Sequence, residues 1–155
     1  MTGSQAVAPP SAQKTQFRQA GLRRASLTIL IVLIVQFALG ISVNLYVTLP
    51  AAGHRGHASW FGNGALLALH AALGIFLVLA AIFVLVRAIM ARYVTLIVTS
   101  AAGLVAILLA FFFGSSFTDK LSNGYSLGMA ISFAAALACY IVGLYVLTAR
   151  RAGPS

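Results

Sequence analysis

Residues 64–86 read GALLALHAALGIFLVLAAIFVLV. No Lys, Arg, Asp or Glu interrupts the run. A helix of this length, rising 1.5 Å per residue, covers the roughly 30 Å hydrocarbon core of a bilayer. A strand is excluded, because barrel strands alternate apolar and polar residues and this run does not. Three more stretches have the same character. One extends from about Ala25 to Leu49 and stops at Pro50, which cannot continue a helix interior. The others run from about Tyr93 to Phe113 and from about Tyr125 to Thr148. The predicted fold is all-α, a polytopic membrane protein with a four-helix transmembrane bundle over residues 25–148. The polar stretch containing Pro9, Pro10, Ser11, Gln13 and Gln16 predicts a disordered tail over 1–24, and residues 149–155 form a short second tail. The first span is too long for the roughly 7–15 apolar residues of a secretory leader, and three spans follow it, so it reads as a retained helix.

Composition excludes other classes. Of 155 residues, 61% are hydrophobic and 7% charged, with mean hydropathy +1.02, where a soluble domain carries about a quarter charged residues. Cys139 is alone, so neither a disulfide scaffold nor a paired-thiol redox centre can form. Ten Lys and Arg stand against one acid, Asp119. Lys14, Arg18, Arg23, Arg24, Arg87, Arg92, Arg150 and Arg151 fall on one side of the predicted spans, and only Arg55 and Lys120 on the other. This bias predicts a bacterial plasma-membrane protein with both termini cytoplasmic. It also accounts for the basic balance without nucleic acid. The spans hold no carboxylate, which argues against a small proton-coupled exporter. Asp119 is expected in an outer loop beside Lys120, too far from His70 for a hydrolytic triad.

Helices in lipid associate through small residues and interhelical hydrogen bonds. Span four carries Gly124, Gly128, Ser132 and Ala136 at four-residue intervals; span three carries Ala102, Ala106, Ala110 and Gly114; span two carries Gly64, Ala68 and Ala72. Gly40 joins Thr28, Gln36, Asn44 and Thr48 on one face of span one. These stripes predict packing within a bundle, with homodimerisation through span four as the alternative. Asn63-Gly64 and Asn123-Gly124 open spans two and four and suggest two pseudo-repeated hairpins.

Polar residues within spans are costly and point to function by default. Gln36, Asn44, His70 and Ser132 form the candidate buried cluster. Asn44 and His70 each lie about 9 Å from the same boundary, so the two are expected to meet. His70 has three readings: a hydrogen-bonded structural residue, a haem or metal ligand, and a proton or quinone site. A bis-histidine haem b needs a second histidine on a facing helix, but the position sixty residues on is Ala130. Its neighbour Met129 is the candidate second ligand. His54 and His57 have a metal-ligand spacing in the outer loop but lack the cysteines or carboxylates that complete a site.

Asn44-Leu45-Tyr46-Val47-Thr48-Leu49-Pro50, Leu69-His70-Ala71-Ala72-Leu73-Gly74 and Ser126-Leu127-Gly128-Met129-Ala130 resemble a group of small four-span actinobacterial membrane proteins of unknown function. The resemblance covers the membrane region and brings no activity with it. Gln36-Phe37-Ala38-Leu39-Gly40 followed by His70 looks, more remotely, like one four-helix half of haem A synthases or of cytochrome b561-type bundles. Those bundles use paired axial histidines on different helices, and span four here has none. The sequence therefore predicts an accessory protein of a membrane assembly without a catalytic set. The alternatives are a haem b or quinone-linked electron-transfer protein using His70, and a carrier or channel for a small neutral solute.

Overall fold

The computed structural model describes residues 10–46, 64–120 and 122–152. They form four helices: α1 Pro10–Tyr46, α2 Ala65–Met90, α3 Val94–Lys120 and α4 Asn123–Ala152. Each contains a span long and apolar enough to cross a membrane: Gln19–Tyr46, Ala65–Met90, Val94–Phe117 and Asn123–Ala149. The chain is an all-α four-helix bundle, and its apolar helices mark it as an integral, multi-pass membrane protein. Large side chains such as Ile31, Phe76, Leu79, Val98 and Ile131 point away from the bundle, which costs nothing where the surroundings are lipid tails.

Close contacts give the helix directions. Gly21 of α1 faces Arg87 of α2, whereas Gly40 faces His70, so the two helices run antiparallel. Gly103 faces Tyr140 and Gly114 faces Met129, which sets α3 against α4 in the same way. Each helix packs on its neighbour in sequence, α4 closes the ring against α1, and the α3–α4 contact is the most extensive. The end with the α2–α3 turn is close-packed. There Leu22, Ala88, Leu96 and Leu147 form one buried cluster, and Ile29, Val84 and Tyr140 belong to the main core.

The helix ends differ from the sequence expectation. The tail predicted to be disordered through residue 24 is helical from Pro10. Proline suits the first helical position, and the Ala, Gln, Lys and Arg residues after it are good helix formers that extend a helix already nucleated in the membrane. Leu22 is buried, and the Gln19 side chain donates a 3.1 Å hydrogen bond to the Tyr93 hydroxyl. α2 runs four residues past its predicted end at Val86. It stops where Arg92 takes a left-handed φ of 56°, the geometry that closes many helix C-termini. α3 continues through Gly114-Ser115-Ser116 to Lys120, so Asp119 and Lys120 lie in its last turn and not in a loop. Ser115 supports the extension by donating to the Phe112 carbonyl at 2.9 Å.

The small-residue stripes are used unevenly. Gly128 packs under the Phe113 ring, and Ser132 and Ala136 are buried. From Gly128 onward the span-four stripe is therefore consumed inside the bundle, and a homodimer would need another face. Gly124, expected to pack, is exposed and would meet nothing from another helix, because it lies in the first turn of α4. Ala68, Ala72 and Ala102 are also exposed. Sixty residues after Gln36 and His70 come Leu96 and Ala130, but Leu96 faces Gly143, so the two hairpins pair in different registers.

Gly103 is the tightest contact. A Cβ there would lie 2.7 Å from Cε2 and 3.0 Å from Cζ of Tyr140, whose ring is buried. Overpacking of this kind costs about 1–3 kcal/mol, more than the up to about 1 kcal/mol that alanine gains over glycine in a helix. Gly103→Ala should therefore lower the melting temperature of the detergent-solubilised protein. Gly124→Ala should leave it equal or slightly higher. Equal melting of both variants would contradict this packing.

Candidate functional site

At the opposite end the described residues of the four helices leave a space between them. Between the ends of α1 and α3 and the starts of α2 and α4 lies a chamber of about 630 Å³ lined by all four helices. On α2 it extends from Leu67 to Leu77, roughly 15 Å at 1.5 Å per residue. Leu33, Leu77 and Ile107 form its floor and belong to the buried core below. Phe37 of α1 and Phe133 of α4 stack at 5.0 Å between ring centroids and close the α1–α4 side. Six lining residues are Gly or Ala: Gly40, Ala71, Gly74, Ala110, Gly114 and Ala130. Three of these, Gly40, Ala110 and Gly114, belong to the stripes read from sequence as packing surfaces. Here Ala110 borders the chamber, while Gly40 and Gly114 admit the His70 ring and the Met129 sulfur.

Among the described residues, five that line the chamber are polar and none is charged. Asn44, Ser115 and Ser126 lie towards the open rim; Gln36 and His70 lie deeper. The Gln36 amide donates to the His70 carbonyl at 2.8 Å and sits 3.5 Å from the His70 Nε2. The carbonyl contact fixes which end of the amide is nitrogen, since an amide oxygen there would oppose another oxygen. The amide can donate to Nε2 only in the tautomer that carries the ring proton on Nδ1. Nδ1 and the Gln36 Oε1 are buried with no hydrogen-bond partner. The ring rests against Gly40, where a Cβ would come within 3.2 Å of Cε1, and Gln36 Nε2 would be equally close to a Cβ at Gly74. Glycine at both positions is what lets the pair sit between α1 and α2.

The expected Asn44–His70 contact is replaced by Gln36–His70. The contacts of Gly40 with His70 and of Gly74 with Gln36 put residue 40, not residue 44, level with His70, so Asn44 lies one turn nearer the rim. Asn44 is exposed and lies at the rim. Ser132 is buried but is not among the chamber's lining residues, so the four-residue polar cluster is divided. Met129 does line the chamber, with its sulfur against Gly114, where a Cβ would lie 3.2 Å away. His54 and His57 lie outside the described residues. Among the described residues no group of three or more His, Cys, Asp or Glu is placed to hold a metal ion. Two further buried hydroxyls, those of Ser100 and Tyr140, lack a partner and lie in the main core and not in the chamber. No protein-family model matches the chain, and no curated protein or solved structure matches it either.

The Gln36 bond is interhelical, and such bonds in membranes contribute about 0.6 kcal/mol on average, with a maximum near 1.7 kcal/mol. Gln36→Leu should destabilise the protein by about that amount in a detergent unfolding titration. Asn44→Leu should stay within about 0.5 kcal/mol of the parent. A larger loss from Asn44→Leu than from Gln36→Leu would reject the assigned pairing.

Proposed function

We propose that the protein is a non-catalytic binding protein of a bacterial plasma membrane, an accessory component that receives a mostly apolar molecule in its chamber. The chamber itself carries this reading. Protein interiors leave few voids larger than water, and ligand pockets fall in the range of about 300–1,000 Å³ with mainly apolar walls and a few placed polar groups. The volume of about 630 Å³, the uncharged walls and the Gln36–His70 pair meet that description. Arg23, Arg24, Arg87 and Arg92 all lie near the close-packed end, which supports cytoplasmic termini and a chamber facing the outer side.

A haem b centre is the rival reading, favoured by the presence of His70 and Met129 on the same chamber wall set. The imidazole fits it poorly. Nε2 lies 3.5 Å from the Gln36 amide and Nδ1 is buried, so ligation would require the ring to turn. A carrier reading is served poorly too, since the chamber ends on the packed floor of Leu33, Leu77 and Ile107.

Organic extraction of the purified protein, followed by mass spectrometry, tests the binding reading. One small species should be recovered near stoichiometry from the parent and be depleted in Ala110→Phe, which fills the chamber. Identical extracts from the two proteins would contradict it. A Soret band in the dithionite-reduced spectrum that disappears in His70→Ala would instead establish the haem reading.

A further inference from the structure

The Gln36–His70 contact leaves two buried atoms unmatched. With the ring proton on Nδ1, His70 holds a donor without an acceptor among the described residues, and Gln36 Oε1 is an acceptor without a donor. Leaving such a group buried and unpaired costs more than an ordinary hydrogen bond contributes, so each one in a folded protein calls for a partner. The other two among the described residues, on Ser100 and Tyr140, do not line the chamber, whereas Gln36 and His70 both do.

The two needs are complementary and belong to side chains already in contact. One hydroxyl meets both, because its oxygen accepts while its proton is donated. An ether or carbonyl oxygen would serve Nδ1 alone, and an iron would take an imidazole nitrogen and leave the Gln36 acceptor unmet. Gln36 lies about one turn above Leu33 of the floor, and His70 about two turns above Leu77. At that depth α3 and α4 line the chamber with Ala110, Phe111, Gly114, Met129, Ala130 and Phe133, all apolar. The polar wall is thus the α1–α2 side, below the rim. Counting about 30 Å³ for each water-sized group, the volume of about 630 Å³ takes on the order of twenty non-hydrogen atoms.

We infer that the chamber takes an alcohol, an apolar molecule whose hydroxyl points inward, accepts from His70 Nδ1–H and donates to Gln36 Oε1, with its body against α3 and α4. This rests on the binding reading above and specifies the class of occupant. Both atoms are enclosed where they stand, so the imidazole and the amide turn from the α1–α2 contact towards the chamber as the hydroxyl arrives. Side-chain changes of this kind are common on binding.

The test is native mass spectrometry of the full-length protein in detergent with two probes, farnesol and its methyl ether, which share an apolar body and differ in the hydroxyl proton. Farnesol should bind one per protein, and the ether about tenfold more weakly. In Gln36→Leu that preference should disappear, with ether binding within about twofold of the parent. Equal binding of both probes by the parent, the pattern expected if a buried water already joins the two atoms, would overturn the hydroxyl assignment and leave the binding reading standing. An undiminished preference in Gln36→Leu would do the same. Failure of both probes to bind would also overturn the hydroxyl assignment. Together with identical organic extracts from the parent and Ala110→Phe, it would overturn the binding reading as well.

Discussion

Inside a bilayer two apolar helices gain nothing by hiding side chains from water, because lipid already does so, and what remains is the quality of packing. The approach of α3 to α4 at Gly103 is where this constraint acts most strongly. The Tyr140 ring lies where a Cβ of residue 103 would be, and Gly143 does the same for Thr99, with a Cβ-to-Oγ1 distance of 3.0 Å. These two glycines bring the helices together in the half of the bundle that holds the buried core. Towards the other end the glycine contacts continue, with a Cβ at Gly128 3.0 Å from the Phe113 ring and one at Gly114 3.2 Å from the Met129 sulfur. The short α2–α3 turn joins those two helices at the packed end, and the chamber lies in the other half, where Gly40, Gly74, Gly114 and Gly128 each admit a side chain of a neighbouring helix.

The two ends thus have different chemistry. The closed end is held by Leu22, Ala88, Leu96 and Leu147, by the Gln19–Tyr93 hydrogen bond, and by Arg87, whose guanidinium lies 5.7 Å over the Phe83 ring. Basic residues gather there. The chain's single acid, Asp119, sits in the last turn of α3 at the chamber end. Arginines thus mark the packed end, whereas the described residues that line the chamber carry no charge.

The four spans were legible from sequence because a bilayer leaves an apolar, charge-free run few options other than a helix. Helix ends were less so. Pro10 and Gly114-Ser115-Ser116 look like breaks, yet an existing helix extends through such residues when its far side is packed or capped locally. The inward face of α2 was misread at Ala68 and Ala72, which are exposed, while His70, Gly74, Leu77 and Ala81 face the bundle. A helix apolar on all sides carries no periodic signal to separate the two faces. Gly103 escaped notice among neighbouring alanines, and its value comes only from Tyr140 on another helix. His70 and Gln36 were recognisable as costly polar groups, but their pairing depends on the register of α1 on α2, which sets Gly40 opposite His70 and which counting from Pro50 misplaces by one turn. The chamber was invisible, since it is a sum of small residues spread over four helices.

The contrast between a closed and an open half is the central claim, and one measurement addresses it directly. Ala106 and Ala110 lie one turn apart on α3, the first buried in the core and the second lining the chamber. A nitroxide label placed at each in turn, in a Cys139→Ser background, reports local mobility and oxygen accessibility by electron paramagnetic resonance. The account predicts a mobile, accessible label at Ala110→Cys and an immobilised, shielded one at Ala106→Cys. Equally immobilised labels at both positions would contradict it.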